Sequence, residues 1–123
     1  MGLLESEDEL LFLHNPNCSK SRAALGLLEA RGIEFRTRLY LEDPLGKGEL
    51  ADLGQRLGKP ALGFTRRKQS EFGAAGLDGS SSQDAIFEAV AAAPILLERP
   101  ILIRGRRAAI GRPPEEILPL LED

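Results

Sequence analysis

The sequence predicts an α/β fold in which one mixed sheet takes its strands from both ends of the chain, in the order βαβ, a mostly helical middle, then ββα. Three observations carry that expectation. Residues 10–41 pass from an apolar run to a helical stripe to strict alternation. Residues 101–110 set two short apolar runs around an Arg-Gly-Arg-Arg turn. A length of 123 residues with 42% hydrophobic and 28% charged side chains suits one domain around one core.

Taken in order, residues 1–8 read as a flexible acidic lead-in, and Leu10-Leu11-Phe12-Leu13 is a short apolar run of the kind a buried strand presents. His14-Asn15-Pro16-Asn17 stops it, because proline cannot donate to a ladder. Asn17 is a good N-cap, which puts Cys18 in the first turn of a helix. Ala24, Leu27 and Leu28 supply that helix with an apolar stripe, and Gly32 ends it. Ile33, Phe35, Thr37, Leu39 and Leu41 then alternate with Glu34, Arg36, Arg38 and Tyr40, which predicts a strand with one buried face. A right-handed parallel crossover joins such a strand to the first.

Glu42-Asp43-Pro44 and Gly46 break the pattern, and Glu49 to Leu57 predicts an amphipathic helix closed by Gly58. The Gly- and Ser-containing stretch 59–80 reads as loops with at most one short helix. Asp84 to Ala93 is Ala-rich and stops at Pro94, a further helix. Ile101-Leu102-Ile103 and Ala108-Ala109-Ile110 predict an antiparallel hairpin. Pro113 or Pro114 opens a last helix through Leu118 and Leu121, since proline suits a first helical turn. The expectation is a single domain, 1–123, with a helical insertion at approximately 44–98.

Composition narrows the function. With no Trp, one Tyr and five Phe there is little material for base stacking, and a net charge of -3 repels nucleic acid. No apolar run approaches the ~18 residues a membrane span needs, and the acidic start is no signal sequence; a cytoplasmic protein is expected. Twelve of the sixteen cations are Arg, and five of them (Arg99, Arg104, Arg106, Arg107, Arg112) fall in a stretch free of Asp and Glu. Arginine's planar donors suit a small oxyanion. Exposed charge along strand edges is the plainer reading of Arg104, Arg106 and Arg107.

Cys18 is the one cysteine, so no intrachain disulfide forms and a reducing compartment is expected. At a helix start its thiol meets free N–H groups and the positive end of the dipole, which favour the thiolate. Lys20 and Arg22 add charge nearby, and Ser19 and Ser21 add hydroxyls. A phosphatase-type loop needs Cys, five residues, then Arg, and Ala24 stands there instead. A dithiol motif needs a second Cys, and Ser21 stands there. One Cys and one His cannot complete a zinc shell, so no metal is expected.

His14-Asn15-Pro16-Asn17-Cys18-Ser19-Lys20-Ser21-Arg22 closely resembles the active-site segment of the glutaredoxin-coupled arsenate reductase family, a branch of the thioredoxin-like fold. Leu39-Tyr40-Leu41-Glu42-Asp43-Pro44, Pro94-Ile95-Leu96-Leu97-Glu98-Arg99-Pro100-Ile101 and Ile110-Gly111-Arg112-Pro113-Pro114-Glu115 resemble that family's later segments in the same order, so the likeness spans residues 10–121. It implies a thioredoxin-like core, βαβ plus ββα in a mixed four-stranded sheet, with a helical insertion between the halves. It also implies that Cys18 is the nucleophile and that three arginines hold the oxyanion. Arg99 and Arg112 match two of them. Arg66 or Arg67 supplies the third, with Arg66 favoured by the spacing to Lys68, Phe72 and Gly76-Leu77. Phe72 departs from the family's usual tyrosine.

The resemblance implies arsenate or a similar oxyanion as substrate, glutathione as co-substrate with no bound cofactor, and glutaredoxin as protein partner. Asn15 shapes the turn, and His14 either polarises the site or caps the strand. Pro100 is expected cis after Arg99, facing the cysteine. Two other readings stay open: a thiol transferase or deglutathionylating enzyme, and a non-enzymatic thioredoxin-fold regulator binding a protein partner such as RNA polymerase.

Overall fold

The computed structural model describes residues 3–4 and 8–122. Strands β1 (Leu10–Leu13), β2 (Arg36–Arg38), β3 (Ile101–Arg104) and β4 (Arg107–Ile110) form one sheet in the order β2-β1-β3-β4. β1 runs parallel to β2 and antiparallel to β3, and β3 is antiparallel to β4. Helix α1 (Ser19–Ala30) links β1 to β2, so the βαβ and ββα halves predicted from the sequence share one mixed sheet.

Alternation along the strands sorts the core. Phe12 and Leu102 face α1 and the C-terminal helical segment, forming a buried cluster with Ala24, Leu28, Ile117 and Leu120. Leu11, Leu13, Ile101 and Ile103 point the other way and are equally buried, so both faces of the central strands are covered. The helix buries Ser21, Ala24 and Leu28, while Leu25, packed against the same cluster, and Leu27 are both half-buried. Gly32, at φ +64°, turns the chain after α1.

Four expectations need correction. Cys18, in extended backbone, is itself the N-cap of α1, and Asn17 precedes it. The alternating stretch Ile33–Leu41 contributes only three residues of strand, because a turn accepting N–H groups from Glu42 and Asp43 at the Leu39 carbonyl ends the ladder. The period of two therefore fails there: Leu39 is exposed and Tyr40 buried. The last helix is a 3-10 segment, Pro114–Leu121, in which Ile117 and Leu120 are buried. Pro119 inside it would clash in an α-helix, and three residues per turn bring Ile117 and Leu120 to one face. Finally, the expected flexible lead-in 1–8 includes Leu3, which is buried and donates its N–H to Asp52 Oδ2 at 3.0 Å. Met1, Gly2 and residues 5–7 lie outside the described residues.

The backbone divides into two compact units, Leu4–Asp43 with Arg99–Asp123, which holds the sheet, and Pro44–Glu98 joined by Leu3. The second is helical. Its α2 (Lys47–Leu57) starts two residues before the expected Glu49, where the Gly46 N–H reaches Glu49 Oε1 at 3.1 Å, and stops at Gly58 in the left-handed region. Within residues 59–80 there are a 3-10 turn, Ala61–Phe64, and one short helix, α3 (Ser70–Ala74). Ser82 caps α4 (Gln83–Ala92) through the Ala85 N–H at 3.1 Å. Phe64 and Phe87 bring ring centroids to 6.1 Å inside this unit.

Candidate active site

The register of the sheet brings the predicted residues of its unit to one end. Leu13 pairs with Ile101 and Ile101 with Ile110, so β1 leaves, β3 enters and β4 leaves at the same edge. His14 to Cys18 follows the first, Arg99-Pro100 precedes the second, and Gly111-Arg112 follows the third. Arg99 and Arg112 therefore stand opposite each other, two steps past the last paired residues.

The loop after β1 is built by local hydrogen bonds. Asn15 Oδ1 accepts the Asn17 N–H at 3.0 Å, and the Asn15 carbonyl accepts the Cys18 N–H at 3.0 Å. These bonds turn the chain about Pro16 and deliver Cys18 to the start of α1. Ser21 Oγ accepts the Asn15 N–H at 3.0 Å and lies 2.7 Å from His14 Nδ1. Arg22 Nη1 donates to the Pro16 carbonyl at 2.9 Å, closing the loop from outside. Ser19 is exposed at the first helical position.

Cys18 is half-buried at the start of α1. Burial pushes its thiol up, but the backbone N–H groups of Ser21 and Lys20, together with the charge and hydrogen bonding of Arg99, outweigh that and hold it below the ordinary thiol value. Lys20 thus acts through its main chain. His14 is buried, and its ring stacks on Phe12 at 5.2 Å. Burial and then the Arg22 charge lower its pKa, so His14 is neutral and engaged with Ser21, orienting the loop.

Arg99-Pro100 is cis, as the sequence reading expected, and Arg112-Pro113 is cis too, which it did not foresee. Pro100 is buried, and its carbonyl accepts the Gly111 N–H at 2.8 Å. Arg112 Nη1 lies 3.5 Å from the Arg99 carbonyl. Arg66 belongs to the helical unit, where its N–H donates to the Leu96 carbonyl at 2.6 Å and its Nη1 to the Ile95 carbonyl at 3.3 Å. Arg67, in the same unit, is exposed and runs beside Gly79. Reasoning from sequence missed Gly111. Its signal is a glycine immediately before Arg112.

A family model described as the ArsC family matches residues 13–120. The chain is 46% identical over 111 residues to an arsenate reductase of Neisseria meningitidis, covering 89% of this chain and 95% of that protein. It is 42% identical over 110 residues to the uncharacterized protein YfgD of Escherichia coli, covering 88% and 92%. Among solved structures, an arsenate reductase from Vibrio cholerae superposes with a TM-score of 0.86 at 41% identity, covering 90% of this chain and 96% of that one. That structure shares the thioredoxin-like architecture seen here, and the model's reach from the end of β1 to the C-terminal 3-10 segment takes in every residue of the site above. The chain is a member of the ArsC family.

Proposed function

We propose that this protein is an arsenate reductase, an oxidoreductase in which Cys18 forms the covalent adduct. The observation that carries the reading is Cys18, half-buried at the start of α1, with Arg112 Nη1 3.5 Å from the Arg99 carbonyl at the neighbouring strand ends, a setting in which helix N–H groups and Arg99 favour the thiolate. Arsenate and a thiolate repel each other unless cations lie between them, and guanidinium groups screen that repulsion while offering directional donors.

In the proposed sequence, the Cys18 thiolate attacks arsenic and an arsenate oxygen leaves as water, which gives a Cys18-S-As(V) adduct. A glutathione thiolate then attacks the Cys18 sulfur. The S–As electron pair stays on arsenic, which departs as arsenite, As(III), and leaves Cys18 as a mixed disulfide with glutathione. Glutaredoxin takes the glutathione by thiol–disulfide exchange and regenerates the thiolate. Ser21 in place of a second cysteine fits a cycle resolved from outside the chain. Arg66 is proposed as a third oxyanion ligand on the sequence resemblance. This chemistry needs a reducing compartment, and the cytoplasm is the one proposed; among the described residues no helix is long and apolar enough to cross a membrane.

The deciding experiment is arsenite production with glutathione and glutaredoxin. The protein should turn arsenate over, and Cys18→Ser should fall to the uncatalysed background. If the protein exchanges glutathione with mixed disulfides but forms no arsenite, and Arg99→Ala leaves that exchange intact, it is a thiol transferase instead.

A further inference from the structure

Gly111 is buried between the two arginines' attachment points, and its φ lies outside the left-handed region, so conformation does not demand glycine there. Space does. A Cβ at Gly111 would lie 2.9 Å from Pro100 Cγ and 3.1 Å from Ile117 Cγ2, with Pro100 Cδ at 3.5 Å. The first neighbour is a closed ring and the second a β-branched side chain of the core, so neither yields cheaply. The same residue carries the last cross-strand bond of the hairpin, from its N–H to the Pro100 carbonyl, and the Arg112 N–H folds back to the Ile110 carbonyl at 3.0 Å.

We propose that Gly111 is a positioning residue for oxyanion capture: its missing side chain lets the end of β4 close onto the Pro100 ring and sets Arg112 against Arg99 at the spacing an oxyanion needs. The inference rests on the functional reading above, that these arginines hold the oxyanion. A methyl group at Gly111 displaces the Arg112 segment from Pro100. The Pro100 ring, and with it Arg99, keeps its place beside Cys18, and the start of α1 is not among the atoms the methyl would meet. Oxyanion affinity therefore depends on Gly111, and thiolate formation does not.

The test uses the full chain and Gly111→Ala. Alkylation of Cys18 by iodoacetamide across pH reports the thiolate, and protection from alkylation by arsenate, with sulfate as a second probe, reports binding without requiring turnover. Half-protecting arsenate and the arsenate KM should both rise by about tenfold or more, as small misplacements of positioning groups do, with kcat changed less than about threefold and the alkylation midpoint unmoved. Adding Arg112→Ala to Gly111→Ala should cost much less than Arg112→Ala alone.

Ile117→Ala serves as the stability control. It should lower Tm and leave protection unchanged. Gly111→Ala with Ile117→Ala keeps the Pro100 contact while removing the Ile117 contact, so it takes the place of the single variant if that does not fold. Unchanged protection in whichever folded variant is measured, a shifted alkylation midpoint, or full additivity with Arg112→Ala overturns the positioning role. Wild-type protein that arsenate protects but that reduces none of it refutes the arsenate reductase reading alone, since the protection curves still decide the role of Gly111. Wild-type protein that no oxyanion protects overturns both.

Discussion

The β3–β4 hairpin carries arginines at both ends, and the two ends do different things. At the open end Arg99 acts on the Cys18 sulfur and Arg112 reaches the Arg99 carbonyl. At the turn end Arg104 Nη1 donates to the Leu120 carbonyl at 2.7 Å, fastening the hairpin to the C-terminal 3-10 segment, while Arg106 and Arg107 are exposed. Along the chain all five belong to one cationic run. Register splits them: Arg99 and Arg104 stand five residues apart along β3, about 16 Å in extended chain and far beyond the reach of one small anion. Density of charge in a sequence does not place an arginine beside Cys18; the strand ends that share an edge with it do.

The sharpest way to break this contrast is Arg99→Ala. It should lower kcat/KM for arsenate by roughly two to three orders of magnitude, the size of losing one preorganised donor. The pH at which Cys18 is half alkylated should also rise toward the ordinary thiol value of about 8.5. At the other end, Arg104→Ala should cost about 1–2 kcal/mol of stability by stripping a part-buried carbonyl of a charged donor, seen as a lower urea midpoint, with kcat/KM unchanged. Equal losses of activity from both substitutions would erase the distinction between the ends.

Acid sharpens it further. His14, behind the sulfur loop, has a folded pKa below 6.5, through burial first and Arg22 second. The unfolded chain binds its proton near 6.5 and the folded chain only at lower pH, so stability rises with pH across that window. It is fully present above the unfolded value and lost as pH falls through the folded one. Urea titrations between pH 5 and 7.5 should show that slope, and His14→Asn should flatten it. The smallest effect is expected at Arg107→Ala, within about 0.5 kcal/mol of the parent and equal to it in turnover, as exposed surface changes usually are.

Most elements were legible because their signals are local. Apolar runs, a proline after β1, glycines after α1 and α2 and the Ser82 cap each act within a few residues of where they stand. The alternating stretch Ile33–Leu41 misled because β2, at the edge of the sheet beside β1, ends at a turn, so the pattern continued in sequence after the ladder had stopped. The final helix misled because Pro114 and Pro119 permit a helical segment but not its type, and burial of Ile117 and Leu120 selected the tighter one.

The site divides the same way. Cys18 at a helix start, the Asn15 turn and the absence of a second thiol could be read directly from neighbouring residues, because a helix cap and a turn are made by groups a few bonds apart. That Arg99 and Arg112, rather than the other members of the cationic run, stand at the strand ends beside Cys18, and why a side chain at Gly111 would meet Pro100 and Ile117, are consequences of segments distant in sequence meeting at one edge of the sheet. Only the pairing of β1 with β3 and of β3 with β4 determines those meetings, since a shift of one residue in either register would carry the arginines to another face.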